Sequence, residues 1–186
     1  MSNVKALIRV LTGCDIQCRH CYMSSDSFKN EQFTYSGLET VVDKLTDYGV
    51  EVIVFTGGQP TLIGTELIDI IGYTSEKREE TGYPAVIEIT TNSGIGKNKA
   101  TANYWLSNFA EAGLDRVRLS VDEYHREFLP EEFEERIIDT AELYNVAIKL
   151  MDVAGVEKQI DTNIDTETRK TFALRPGGRA FSDDLA

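Results

Sequence analysis

Short, almost wholly apolar runs alternate with longer stretches whose apolar residues recur every three or four positions, and this alternation limits the possible folds more than any other feature. Val50-Glu-Val-Ile-Val-Phe55 is too apolar for a strand with one wet face and suits a parallel sheet covered on both sides. Before it, Leu38, Val41, Val42, Leu45 and Tyr48 share one helical face, with Thr34 or Ser36 able to cap the start and Gly49 to end it. The unit repeats, with strands expected over 6–11, 50–55, 85–90, 117–121, 146–151 and 171–174, and further helices over 65–80, 101–112 and around 133–141. Residues 156–170 are polar apart from Val156, Ile160 and Ile164, and read as a weak helix at best. With no two strands adjacent, the pattern implies βα units, right-handed crossovers and a parallel sheet. Six units fall short of the ~250 residues of a complete eightfold barrel. The expected fold is therefore α/β: an open partial (β/α)6 barrel with a parallel curved sheet, in one domain spanning residues 1–186.

In such folds ligands bind at the carboxyl ends of the strands. The distinctive polar residues fall there: Cys14 after the first strand, Thr56-Gly-Gly-Gln-Pro60 after the second and Thr91-Asn-Ser93 after the third. Ser120, Asp122 and His125 follow the fourth, and Arg175-Pro-Gly-Gly-Arg179 the sixth. A formal charge of -12 disfavours a nucleic acid substrate, since a negative surface repels phosphate backbones. A basic peptide or a small molecule is easier to accommodate. The N-terminal stretch lacks the pattern of a secretory signal, and no apolar run approaches the ~18 residues of a membrane span. A cytoplasmic location is expected.

All three cysteines lie in Cys14-Asp-Ile-Gln-Cys18-Arg-His-Cys21. An odd, clustered set argues against a disulfide framework and toward metal or redox chemistry. Thiolates prefer iron–sulfur clusters, zinc or copper(I). A cubane cluster normally takes four cysteines, so a set of three leaves one iron open to a substrate. Spacing alone also leaves open a zinc site completed by His20, or inert core thiols. The first is disfavoured because His20 sits between two ligands, the second because the loop is strongly polar.

CxxxCxxC followed by an aromatic residue, here Tyr22, resembles the motif of the radical S-adenosylmethionine (SAM) superfamily. The resemblance implies a [4Fe–4S] cluster on Cys14, Cys18 and Cys21 whose fourth iron chelates SAM. Reductive cleavage would then give a 5′-deoxyadenosyl radical that abstracts hydrogen from a substrate. Gly57-Gly58-Gln59-Pro60 resembles the family's Gly-Gly-Glu-Pro motif, which holds the methionine ammonium. Gln59 departs from it, and a neutral acceptor is weaker than a charged one. On that reading Gln59→Glu binds SAM at least as tightly. Asn92 is similar to the family's strand-end contact to the ribose or methionyl group, and Arg118 and Ser120 to residues meeting the methionyl carboxylate. Gly177, within Arg175–Ala180, resembles a late segment lining the adenine pocket. Asp122 is a candidate for ribose hydroxyls, and Tyr124 and His125 for the substrate or for hydrogen donation.

The resemblance implies a reductant such as a flavodoxin or ferredoxin and does not specify the reaction. No cysteines for a second cluster follow Cys21, which leaves a minimal single-cluster enzyme or a fragment lacking its last strands; the former, with a wide opening and acting on a peptide or small molecule, is expected. The alternatives are a glycyl-radical-enzyme activase and a non-catalytic zinc or iron–sulfur module.

Overall fold

A computed structural model describes residues 4–152 and the backbone of residues 158–160. The strands are β1 (Lys5–Leu11), β2 (Val52–Gly57), β3 (Val86–Asn92), β4 (Arg116–Ser120), β5 (Ala147–Met151) and β6 (Lys158–Ile160). Between them run helices α1 (Tyr35–Asp47), α2 (Thr65–Thr81), α3 (Lys99–Glu111), α4 (Glu123–Arg126) and α5 (Glu131–Tyr144). The sheet follows sequence order from β1 to β6, and its first five strands are parallel. This is the expected open α/β sheet built from βα units. None of the described helices is long and apolar enough to cross a membrane.

Strand alternation sorts side chains onto two faces. Ile8 and Val10, Ile53 and Phe55, Ile87 and Ile89 pack with Val117, Leu119 and Ile148 into one core with the helices. From the helices come Leu38, Leu67, Ile70, Ile71, Leu106, Phe109 and Ile137, all fully buried. Local signals set the helix starts. Thr34, not Ser36, caps α1 by accepting from the Gly37 amide, and Asn98 caps α3 by accepting from Thr101. Gly49 follows α1 at φ 69°, a conformation glycine adopts without strain.

Two expectations need correction. Residues 158–160 form a strand rather than part of a weak helix, and β6 runs antiparallel to β5. Two strands are therefore adjacent in sequence, and the sheet is mixed at this edge. Only six residues separate β5 from β6, enough for an antiparallel neighbour but too few for the crossover that a parallel one needs. The one-turn helix α4 also lacks the length that periodicity needs to register. The strand expected at 171–174 lies outside the described residues.

The opposite, concave face of the sheet is mostly polar. There Glu88 is 1% exposed, and its carboxylate meets Lys5 at 2.7 Å, Arg116, and Arg118 at 4.0 Å. Burial alone would raise the Glu88 carboxyl, but the bond and charge of Lys5, then the charges of Arg116 and Arg118, hold it below its ordinary value. A depressed carboxyl contributes stability above its unfolded pKa of about 4.3 and loses it as pH falls through the lower folded value. Glu88→Gln should therefore destabilise the fold by about 3–5 kcal/mol at pH 7. In urea titrations the gap to wild type should close as the pH drops below about 4.

Candidate active site

The rim at the carboxyl ends of the strands is built from close backbone contacts. Gly58 donates its amide to the Leu11 carbonyl at 3.1 Å, and Gln59 donates to the Gly13 carbonyl at 2.8 Å. A Cβ on Gly58 would overlap the Gly13 carbonyl, and one on Gly57 would lie 2.6 Å from the Leu11 oxygen. The glycine pair thus lets the chain entering the cysteine loop lie flat on the end of β2.

The Gln59 side chain is 1% exposed and fully engaged within the protein. Its amide nitrogen donates to Thr61 Oγ1 at 2.9 Å and Thr91 Oγ1 at 2.8 Å, while its oxygen accepts from the Asn92 amide at 3.1 Å. Asn92 in turn donates through Nδ2 to Asp15 Oδ1 at 2.9 Å and accepts from the Gly94 amide through Oδ1 at 2.8 Å. One chain of bonds therefore joins the ends of β2 and β3 to the cysteine loop. This geometry makes Gln59 a strut between strands.

The cysteine loop is anchored along its length. Thr12 donates to the Glu31 carbonyl at 2.9 Å and Cys14 to the Asp26 carbonyl at 3.0 Å. Lys29 Nζ donates to the Ser24 carbonyl at 2.7 Å. Ile16 is buried beneath the loop between Cys14 and Cys18, packed with Tyr124 and Leu129. Cys14 and Cys18 are buried, Cys21 is half-buried, and none of the three is in a disulfide. Burial pushes the Cys14 thiol up to about 11, with Asp15 and Cys21 adding to it against a hydrogen bond from the Ile16 backbone. Such a thiol ionises at neutral pH only when a metal takes the proton's place. The Ser25 amide donates to Cys21 Sγ at 3.4 Å, a contact that favours a metal-bound thiolate.

Asp122, at the end of β4, ties this loop to α4. It is 4% exposed and caps α4 by accepting from the Tyr124 and His125 amides. Its Oδ1 lies 2.8 Å from His125 Nδ1, and its Oδ2 lies 3.4 Å from His20 Nε2. Burial would raise the Asp122 carboxyl, yet bonds to His125 and then His20 hold it well below the carboxylate range. The Tyr124 ring stacks on His20 with centroids 4.7 Å apart, and Arg19 lies over the same ring while pairing with Glu127.

These elements enclose a cavity of about 350 Å³, within the range of small-molecule sites. Cys14, Cys18, Cys21 and Tyr22 line one side of it. Gly57, Gly58, Asn92, Ser120, Asp122 and His125 line the other. Tyr124 is instead spent on the cysteine loop, and Arg118 lies beneath Met151, its Nη2 3.6 Å from the sulfur. Gly177 and the surrounding Arg175–Ala180 segment lie outside the described residues. Sequence reasoning gave no partner to Asp15 and considered His20 only as a zinc ligand. The contacts of both span distant segments, so no local pattern marks them.

A sequence profile described as the radical SAM superfamily matches residues 8–171. The chain belongs to this family. Members of the radical SAM superfamily use a [4Fe–4S] cluster together with SAM. The donor set here fits that group, with three thiols sharing one cavity and a backbone amide already directed at one sulfur.

Among curated relatives, the GTP 3',8-cyclase of Corynebacterium glutamicum is 34% identical over 116 residues, covering 59% of this chain and 28% of its own. The AdoMet-dependent heme synthase of Oleidesulfovibrio alaskensis is 26% identical over 171 residues, covering 88% of this chain and 39% of its own. This chain thus spans well under half the length of these relatives. A solved structure, native anSMEcpe with bound AdoMet, superposes with a TM-score of 0.56 at 21% identity, covering 79% of this chain and 43% of that one. It supports the radical SAM partial-barrel fold.

The Gln59 geometry argues against tighter SAM binding by Gln59→Glu. A carboxylate supplies neither of the two N–H donors, and the Thr91 hydroxyl is already donated to the Asn92 carbonyl at 3.2 Å. The substitution should destabilise the fold by about 1–3 kcal/mol. It should leave SAM affinity unchanged or weaker, read by thermal unfolding and equilibrium dialysis of the reconstituted protein.

Proposed function

We propose that this protein is a radical SAM enzyme that cleaves SAM reductively and abstracts hydrogen from a bound substrate, a small molecule or a peptide. The observation that carries the reading is the opening of all three cysteine thiols into one cavity rimmed by the ends of β2, β3 and β4. Cys14, Cys18 and Cys21 hold the cluster. Bound there with SAM, the cluster would supply the electron for reductive cleavage of a carbon–sulfur bond of SAM.

The chain's own residues supply binding, orientation and shelter from water. Gly57 and Gly58 line the cavity and offer backbone to the methionyl end. Asn92, fixed by Gln59 and Asp15, and Ser120 offer polar contacts from neighbouring strand ends, and Arg118 below them offers a positive charge for the methionyl carboxylate. Tyr22 contributes an aromatic face after the third cysteine. Asp122 orients His125, which lines the cavity and can hold or pass a proton at Nε2 while Nδ1 stays on the carboxylate. Asp122 is therefore assigned to positioning rather than to ribose hydroxyls, and Tyr124 to support of the loop. Gly177 is retained as an adenine contact. The names of the relatives, a GTP cyclase and a heme synthase, favour a small molecule over a peptide. A small electron-transfer protein such as a flavodoxin or ferredoxin would supply the reductant.

A second reading rests on one observation: the ligand atoms of Cys18, His20 and His125 all lie within 4.8 Å of one another, close enough to hold a zinc ion. Anaerobic purification and metal analysis separate the two. The enzyme reading expects iron and sulfide, and, after reduction with dithionite in the presence of SAM, 5′-deoxyadenosine. Serine at Cys14, Cys18 or Cys21 should abolish that product, whereas His20→Ala should retain it. Zinc without sulfide, lost from the His20 variant, would establish the second reading.

A further inference from the structure

On the helical side of the sheet, α1, α2 and α3 leave an open groove of about 680 Å³ that shares no residue with the cavity at the strand ends. Its floor is one face of α2, where Ile68, Asp69, Gly72, Tyr73 and Glu76 recur at helical spacing. Tyr35 of α1 stands on one side, and Asn108, Glu111 and Ala112 of α3 on the other. The apolar members, Tyr35, Ile68, Tyr73 and Ala112, pack against the core but are only partly buried. Four carboxylates, Glu66, Asp69, Glu76 and Glu111, line the groove, and among the described residues no lysine or arginine does. None of the four is paired with a cation among the described residues. Lys77, 5.4 Å from the Tyr73 ring, is spent on Asp43 and Glu80, and Arg78 on Asp115. The acids act inside the groove: burial first, then Glu39, Asp69 and Glu76, push the Tyr35 hydroxyl up.

Gly72 is the feature that acidity alone does not explain. It lies in the interior of a 17-residue helix, where glycine is the least favourable residue apart from proline. A Cβ at this position would meet no atom within 4 Å, so packing within the described chain does not require the glycine. Its effect is to keep the middle of the groove floor at backbone level. We propose that the groove docks a basic amphipathic helix of a partner protein. The apolar ridge of that helix lies over Gly72, between Tyr35, Ile68 and Ala112, and its Lys and Arg side chains reach the carboxylates along the borders. Small residues at a crossing let two helices approach closely, and complementary charge on the rims fixes the register. A second copy of this chain does not supply such a helix, because none of the described helices carries a net positive charge. The proposal concerns a face apart from the cysteine loop and stands independently of the enzyme reading.

The test is fluorescence anisotropy of a labelled Leu/Lys amphipathic helical peptide titrated with the reconstituted full chain. A Leu/Glu counterpart and a Lys/Gly/Ser peptide of equal charge, which forms no helix, serve as controls. The Leu/Lys peptide should bind, more weakly as salt rises, and neither control should. Gly72→Leu should weaken binding at least about tenfold by filling the floor, and Asp69→Asn combined with Glu76→Gln should do the same by removing charge. Gly72→Ala should raise the unfolding temperature, because only the partner calls for glycine there. Far-UV circular dichroism and thermal unfolding of each variant show that the fold is kept. Equal binding of the Lys/Gly/Ser peptide reduces the groove to adventitious charge attraction and overturns the proposal. So does unchanged affinity in the Gly72→Leu variant, or a lower unfolding temperature in Gly72→Ala. Self-association of the chain that Gly72→Leu abolishes would give the groove to a second copy and overturn it as well.

Discussion

How closely the chain leaving β1 can approach the chain leaving β2 governs the geometry of the whole rim. Gly57 and Gly58 carry no side chain where Leu11 and Gly13 pass, and the amides of Gly58 and Gln59 bond to those carbonyls. Any larger residue at Gly58 would push the cysteine loop off the sheet, and with it the three thiols that define the cavity. The next layer follows from this contact. Once Gln59 is fixed over the end of β2, its side chain holds the Asn92 amide, and Asn92 reaches back to Asp15 beside Cys14. Three segments far apart in sequence are thereby locked without any covalent cross-link. Buried polar networks of this kind specify one arrangement because each unmet partner is costly.

The architecture was legible because it rests on periodicity. The apolar runs at β2 and β3 and the helical faces of α1 and α5 are set by burial of one surface against another, which a linear pattern records. The strand ends were also legible, since Cys14, Gly57, Asn92, Ser120 and Asp122 mark where apolar runs stop. Three features were less so. β6 is three residues long in a polar stretch and takes its identity from its neighbour β5. The Gly-Gly-Gln-Pro turn announced close backbone approach but not what approaches, and the answer is the protein's own Leu11 and Gly13. Asp122 read as a candidate for ribose hydroxyls, although its oxygens are committed to two histidines, one of them within the cysteine loop. In each case the deciding contact joins residues that sequence separation hides.

Charge shows the same divide between global and local properties. Among the described strand residues, those on the face away from the helices carry more cations than carboxylates, against the acidic balance of the whole chain. Net charge governs long-range encounter, while a curved wall with a low-dielectric backing sets its own local field.

The cavity also has two walls of unequal stiffness. On the sheet side, Gln59, Thr91 and Asn92 are almost wholly buried and bonded to one another. On the loop side, Tyr22 lines the cavity and is 63% exposed. A guest held between them registers against a fixed template on one flank, while the opposite flank can yield by side-chain rotation. Shape discrimination then belongs to the strand termini, and tolerance for molecules of differing bulk to the aromatic rim.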